Sequence, residues 1–372
     1  MHPFSTAVIT AILFPCSGAL AQSTVLNVPS VYPTIQSAID AASDGDTVLV
    51  AAGTYNEAID FLGKEITVES TSGSANTTID GQDISTALVT CVSGETPNSV
   101  LRGFELLNGQ SGREVPGPPA AFAGGGMYIN TASPTIEDVV FQNCVSGYGG
   151  GLYAIWSGSV VTNCAFNRCI AASNSGAAQV FFNNPDIGTG VTFENCTFIE
   201  NYSISYGGAI HAIQGDHSFM DCTFTLNGGP WNDPIRRTDY GAAISWWAGE
   251  GATLTISGCT IEDNRAKIKG GGLWVRPGYD TVAISDTTIC FNLDHNVSGR
   301  YIDLGGNTDC DCIGDFTFDG YVGGGDLSIL LGYWGPCLDV DCVADLNYDG
   351  IINGADLTIF LGKWGPCPVY KP

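Results

Sequence analysis

Two stretches near the C-terminus place oxygen-bearing side chains at a spacing that can wrap a hard cation. In the better one, Asp345, Asn347 and Asp349 alternate ahead of Gly350, and Asn353 and Asp356 follow. With Asp345 as place 1, the ligands are Asp345, Asn347, Asp349, the carbonyl of Ile351, Asn353 directly or through water, and Asp356 at place 12. Clustered oxygens around an obligatory turn glycine at place 6 are what Ca²⁺ takes. An earlier stretch repeats the pattern less completely. Thr317 and Gly323 stand at places 3 and 9, so Asp315, Thr317, Asp319, the carbonyl of Tyr321 and Asp326 must carry it, and its affinity should be lower.

Both stretches belong to a duplication after Gly306. The run Cys312 to Gly320 recurs as Cys342 to Gly350, each copy enters a helix-like segment, and each ends in Trp-Gly-Pro-Cys, at Trp334 to Cys337 and Trp364 to Cys367. Each loop is therefore followed by one helix and closes on Asp, an EF-hand-type arrangement with the second helix in place. The cysteines at matching places suggest Cys312–Cys337 and Cys342–Cys367 bridges, with Cys337–Cys342 as the alternative. Secretion would permit them.

A different repeat fills Gly124 to Asn292. A glycine-rich phrase recurs at Gly124 to Tyr128, Gly149 to Tyr153, Gly207 to His211, Gly241 to Ser245 and Gly270 to Trp274, with a degenerate copy at Gly176 to Gln179. Between the copies runs a second phrase that aligns into columns. One holds Val139, Cys164, Cys196, Cys222, Cys259 and Thr287; the next Phe141, Phe166, Phe198, Phe224, Ile261 and Ile289; a third Cys144, Cys169, Asn201, Asn227, Asn264 and Asn292. Apolar residues at every second position mean strands, and a period of about 25 to 34 residues holds three short ones with turns. Like residues at equal places in successive coils should then stack about 4.8 Å apart as core and turn ladders.

By alternation, one column of the glycine-rich phrase faces outward: Tyr128, Tyr153, Gln179, His211, Ser245 and Trp274. Two residues on lie Asn130, Ile155, Phe181, Ile213, Trp247 and Arg276. Rings, amides and an arginine along one face suit stacking against sugars, so Tyr128, Tyr153, His211, Trp247, Trp274 and Arg276 are the glycan-binding candidates. Strand preference alone also enriches aromatic residues.

The remaining segments read as an export tag, a cap and loops. Ala7 to Phe14 is a short apolar run ahead of Ala19-Leu20-Ala21, which reads as a secretory signal over residues 1–21. No later run is long and apolar enough to span a bilayer. From Pro33 to Ala42 the apolar residues Ile35, Ala38, Ile39 and Ala42 mark an amphipathic helix, placed to cover the open end of the stack. Residues 109–123 and 228–240 read as loops standing off the coils. The second packs Trp231, Asp233, Arg236, Arg237 and Asp239 together, and loops on a rigid scaffold often carry function.

A net charge of −25 argues against nucleic acid and acidic membrane surfaces as partners. An acidic polysaccharide would be repelled too unless a cation bridged it. The abundance of glycine, 49 residues, beside only 14% charged residues suits a turn-dense all-β chain.

At this point two resemblances can be stated. The phrases Gly207 to Ile210 and Phe198 to Asn201 resemble the repeats of polymorphic outer-membrane and adhesin-type right-handed parallel β-helices, within the wider pectate-lyase-like superfamily. The C-terminal duplication is similar to a type I dockerin, which implies Ca²⁺ binding and docking onto a cohesin-like anchor. At the two recognition places this chain has Gly324-Gly325 and Gly354-Ala355 where hydroxyl-bearing pairs are usual, which puts a cohesin partner in doubt. Together they imply an all-β right-handed parallel β-helix over 22–305 with an N-terminal helical cap, followed by a small α-helical dockerin-like module over 306–372.

For function, the reading is a secreted, cell-surface or scaffold-anchored β-helix that binds polysaccharide or a partner protein along its outer face. The alternatives are a polysaccharide lyase or glycoside hydrolase acting on an acidic glycan, and a purely structural adhesin rod. Glycoside hydrolysis needs two carboxyl groups about 5 to 9 Å apart, and no adjacent Asp-Asp pair occurs. The catalytic candidates are Asp233, Arg236, Arg237 and Asp239, with His217. A solvated loop tied by salt bridges is the plainer reading of the same residues.

Overall fold

The computed structural model describes residues 23–112, 123–182, 190–229, 237–278, 281–293, 295–310, 312–317, 321–337, 344–347 and 349–367. Short strands alternate around a coil and pair, in parallel, with their counterparts one coil away. Three long sheets result. Sheet I has eleven strands from Val25–Val28 to Ile302–Asp303, sheet II ten from Gly53–Tyr55 to Thr308–Asp309, and sheet III nine from Ile59–Asp60 to Val297–Ser298. This is the all-β solenoid expected.

The columns stack as the alignment implies. Phe141, Phe166, Phe198 and Phe224 form one continuous stack inside sheet II, with neighbouring ring centroids 4.4, 5.0 and 4.5 Å apart. The turn column is a hydrogen-bonded ladder. Asn227 Oδ1 accepts from the backbone N–H of Asn201, Asn264 Oδ1 from that of Asn227, and Asn292 Oδ1 from that of Asn264. Each Nδ2 also donates to a carbonyl on the preceding coil, that of Asn227 to Phe198 O at 2.8 Å. All of these side chains are buried, so a turn that would otherwise strand polar groups has its donors and acceptors met.

The entry is capped by helix α1 (Ile35–Ala41), one residue shorter at its C-terminal end than expected and begun by Thr34, which puts Pro33 before the cap rather than in the first turn. Ile35, Ala38 and Ile39 are buried against the first coil, and Lys64 Nζ donates to the carbonyls of Ile39, Asp40 and Ala42 at the helix end. The solenoid also runs past the expected boundary at 305. Thr308–Asp309 still pairs with Thr288–Cys290, Asn307 Oδ1 accepts from Thr287 N, and Cys290–Cys310 is a disulfide.

Beyond it lie two short helices, α2 (Gly324–Gly332) and α3 (Gly354–Gly362), around a core of Val322, Leu330, Ala344, Ile352 and Phe360. The duplication folds back on itself. Tyr321–Val322 of the first loop pairs antiparallel with Gly365–Pro366, and Ile351–Ile352 of the second pairs with Gly335–Pro336. Each loop thus leans on the end of the other copy.

Candidate functional site

Strand alternation on sheet III puts Met127, Leu152, Ala178, Ile210, Ile244 and Leu273 inside and the expected column outside. Facing outward does not mean facing solvent. Between sheets II and III the chain runs an extra strand, Tyr202–Ser203 in one coil and Thr238–Tyr240 in the next, before it turns at Gly207 and Gly241. Tyr206 and Tyr240, each just before its turn glycine, fold over the sheet. Tyr206 stacks on His211 at 5.3 Å and on Tyr240 at 5.3 Å, and Tyr240 lies 5.0 Å from Trp274.

This overturns part of the sequence reading. His211 is 1% exposed, Ser245 0%, Gln179 5% and Trp274 9%, so His211 and Trp274 support a layer rather than present one. Burial pushes the His211 imidazole down to about 3, with hydrogen bonding to Ser245 opposing it. The signal that reports this cover was in the sequence, as a tyrosine ahead of the turn glycine at Tyr148, Tyr206 and Tyr240.

Glycine is required at these turns. Gly207 has φ +65°, and a Cβ there would come within 2.1 Å of the Ile210 carbonyl oxygen.

The second outer row stays accessible. Trp247 is half-buried, with Tyr206 edge-on at 5.0 Å and His211 at 5.5 Å, and the exposed Arg276 guanidinium lies over its ring, 4.5 Å from the centroid. The neighbouring Trp246 points inward and its indole N–H donates to Thr281 Oγ1. The Trp247 Nε1, by contrast, is buried with no hydrogen-bond partner. A desolvated N–H without an acceptor is costly in a folded protein.

On earlier coils Tyr128 and Tyr153 are half-buried and stacked at 5.9 Å, with Asn130 Nδ2 donating to the Tyr128 hydroxyl. Burial raises the phenol pKa of both.

Among the described residues, the catalytic candidates do not come together. Asp233 and Arg236 lie outside the described residues. Asp239 is within 3.7 Å of Lys267 Nζ, a surface ion pair, and Arg237 is partly buried with no hydrogen-bond partner at Nε. His217 is elsewhere, because it opens a sheet I strand at an inward position. Its Nδ1 accepts from Val191 N, its ring meets Trp246 edge-on at 6.0 Å, and burial pushes it down to about 4. It is a core histidine.

The cation loops draw their oxygens together. Asp345 accepts from Asp349 N and Gly350 N, Asp349 Oδ1 from Ile351 N, and Asn347 Oδ1 from Asp349 N. The fully buried Asp356 accepts from Leu346 N, Asn347 N and Asn353 N, tying place 12 to the loop's start and middle. Asn347 Nδ2 donates to Asp349 Oδ2 and Asn353 Nδ2 to the Ile351 carbonyl, so amide hydrogens satisfy oxygens that a hard cation would take. In the first loop Asp326 accepts from Thr317 N and Gly323 N, and Thr317 Oγ1 reaches Asp315. Burial pushes the Asp326 carboxyl up, but these N–H groups outweigh it and hold the group below its usual range. Tyr321 precedes α2, and Asp319 lies outside the described residues. The donor set is all oxygen and fits Ca²⁺ in the second loop better than in the first.

The disulfides correct the expected pairing. Cys312 is bonded to Cys367, not to Cys337, with Cα atoms 5.1 Å apart. The antiparallel pairing of Tyr321–Val322 with Gly365–Pro366 explains it, since it brings the start of the first copy to the end of the second. Cys367 is therefore unavailable to Cys342, which lies outside the described residues, while Cys337 is also disulfide-bonded. A bridged pair cannot ligate metal, so Cys312 and Cys367 add nothing to the nearby Asp315. In the solenoid Cys91, Cys144, Cys164, Cys169, Cys196, Cys222 and Cys259 are buried free thiols.

The family follows from the chain itself. The model of the right-handed beta helix region matches residues 67–308, and the protein belongs to that family. No curated protein matches the sequence. Among solved structures it is similar to a pectin methylesterase from Aspergillus niger, at 17% identity over 78% of this chain and 90% of the other with a TM-score of 0.43. It is similar also to the pectate lyase Pel9A, at 14% identity over 78% of each chain with a TM-score of 0.44. At such identities and scores neither says what this chain binds or cleaves.

Proposed function

We propose that this protein is a secreted β-helix that binds polysaccharide on the outer face of sheet III, held at a surface or scaffold by a calcium-loaded C-terminal module. The observation that carries the binding reading is the Trp247–Arg276 stack, a half-buried ring and an exposed cation backed by Tyr206. Aromatic faces with a few fixed donors are how proteins hold sugar rings. No helix among the described residues is long and apolar enough to cross a membrane, and attachment is assigned to the C-terminal module. Its two interlocked loops and bridged ends support a calcium-dependent, dockerin-like unit, and the exposed Gly324-Gly325 and Gly354-Ala355 at the helix starts favour a partner other than an ordinary cohesin.

An enzymatic reading would draw on Asp233, Arg236, Arg237 and Asp239, and the ion pair of Asp239 with Lys267 favours a structural tie. The deciding experiment is retention of the purified chain on a panel of immobilised polysaccharides, with release of reducing ends and unsaturated uronates followed in parallel. Retention without product supports the binding function, product formation replaces it with a lyase or hydrolase, and silence in both leaves the rod reading.

A further inference from the structure

Resting on the calcium-loaded reading of the C-terminal module, we infer that the end of the solenoid sets the module's calcium affinity. Lys269 and Arg300 are a built-in counter-charge for the two cation loops and compete with the ion for their carboxylates. The juxtaposition is covalent first. Cys290–Cys310 pins the end of the last coil, and Cys312–Cys367 ties the start of the duplication to its finish. One residue separates Cys310 from Cys312, so their Cα atoms are at most about 7 Å apart. The module has no long tether, and both its ends are held beside the solenoid's exit.

The second observation is a cleft of about 710 Å³ between the two parts. Its solenoid wall carries Lys269, His295 and Arg300, with Asp309 the one acid among the described residues there. That acid is already engaged, since its Oδ1 accepts from Asn296 Nδ2 at 2.8 Å. The module wall carries Asp315, Asp345 and Asp349, which are place 1 of both loops and place 5 of the second.

The third is that the loops are held where they are. Asp315 Oδ2 lies 3.4 Å from the bridged Sγ of Cys367, and Asp345 Oδ2 3.6 Å from that of Cys337, which is also bridged. Tyr321–Val322 and Ile351–Ile352 are each paired to the end of the other copy.

The consequence is electrostatic. When the loops hold no ion, the fixed cations offset repulsion among the loop carboxylates; when they hold one, the same cations repel its charge. Both effects lower the affinity. A unit charge roughly 9 Å from a divalent ion, the span of a cleft this size, changes its binding constant about fivefold at bulk-water permittivity, and less once salt screens it. The module is thereby tuned toward a site that responds to changes in calcium. By linkage, the bound ion weakens the attraction between module and solenoid by the same factor.

The test is calorimetric titration of the demetallated full-length protein with calcium at low and high salt. Arg300→Gln and Lys269→Gln should each tighten binding roughly threefold at low salt, and the gain should fade at about 0.5 M salt. Arg300→Lys, which keeps the charge, should bind as the wild type does. Arg168→Gln, the same loss of charge on a distant coil where Arg168 pairs with Glu200, should do so too. Asp326→Asn with Asp356→Asn should remove the heat, which assigns it to the loops; heat that survives would place the ion elsewhere and end the assignment.

Unchanged affinity in both Gln variants of the cleft, or a gain that ignores salt or appears equally in Arg168→Gln, would overturn the inference and leave calcium binding standing. If the wild-type protein takes up no calcium, the calcium-loaded module fails and this inference with it.

Discussion

His211 and Ser245, on adjacent coils of sheet III, share a hydrogen bond beneath the ring of Tyr206. Neither is open to solvent, so a pair that on an exposed face would look like a nucleophile and its base is here a buried, neutral contact. Burial holds the imidazole uncharged, and that has a thermodynamic cost on the acid side.

With folded pKa values of about 3 for His211 and about 4 for His217, both lie below the unfolded value. Below pH 6.5 the unfolded chain takes up protons that the folded chain refuses. Stability is therefore full above pH 6.5 and falls as the pH drops toward the folded pKa values, by about 1.4 kcal/mol per pH unit for each histidine. Urea unfolding of the wild type and His217→Gln at pH 7 and pH 5 checks this. The variant should lose roughly 2 kcal/mol less between the two, and equal losses would mean that His217 is not buried neutral.

Tyr206→Ala removes the ring that covers His211. The histidine should then titrate closer to its ordinary range, as read from its ring-proton shift, whereas the wild-type signal should stay flat down to about pH 4. An unchanged curve in the variant would show that the cover lies elsewhere.

Asn227→Ala breaks the turn ladder at its middle. It strands the N–H of Asn201 and the carbonyl of Phe198, both buried, at roughly 1 to 3 kcal/mol for each orphaned group. Chemical denaturation should show a loss of roughly 2 to 6 kcal/mol, against a few tenths for the exposed Thr255→Ala. A loss of the same size in both would remove the ladder as a stabilising device.

The ladders were legible because a solenoid writes its register into the sequence: Asn201, Asn227, Asn264 and Asn292 recur at one place in each coil and do one job there. The outer face was only half legible. Alternation placed His211 and Trp274 on the correct side, but whether that side is wet depends on Tyr206 and Tyr240, which reach it from the preceding turn of the same coil. Side-chain period reports orientation and not what lies on top. His217 lies in none of the aligned columns, and the start of the sheet I strand His217–Met220 turns it inward. The bridge from Cys312 to Cys367 was missed for a similar reason: sequence symmetry suggested pairing within each copy, and the copies interlock instead.

Calcium should act on the C-terminal module alone. Asp345, Asp349 and Asp356 bring three carboxylates to one loop, and a cation bound only by the folded form stabilises it by about 2.7 kcal/mol at a hundredfold excess over Kd. Limited proteolysis with and without chelator should show faster cleavage after Cys310 when calcium is withdrawn, with the solenoid fragment persisting. Asp356→Asn should reproduce the chelated pattern in the presence of calcium. Indifference of the module to chelator would remove calcium from the proposed anchoring.

The bridge from Cys312 to Cys367 should matter more to the module than any one of its core side chains. It encloses a sequence separation of 55 residues, and closing such a loop in the unfolded chain is worth about 4 kcal/mol on the chain-entropy account. The module core is small, resting on Val322, Leu330, Ala344, Ile352 and Phe360, so a loss of that size should unfold it. Cys312→Ser with Cys367→Ser should therefore leave the module protease-sensitive even with calcium, while the solenoid, closed by Cys290–Cys310 and its own stacked coils, stays resistant. Peptide mapping after alkylation of the native protein gives the independent check. Cys312 should be recovered linked to Cys367, and the solenoid thiols from Cys91 to Cys259 should react only after denaturation. A Cys312–Cys337 peptide would return the pairing to one bridge per copy and undo the interlocked arrangement.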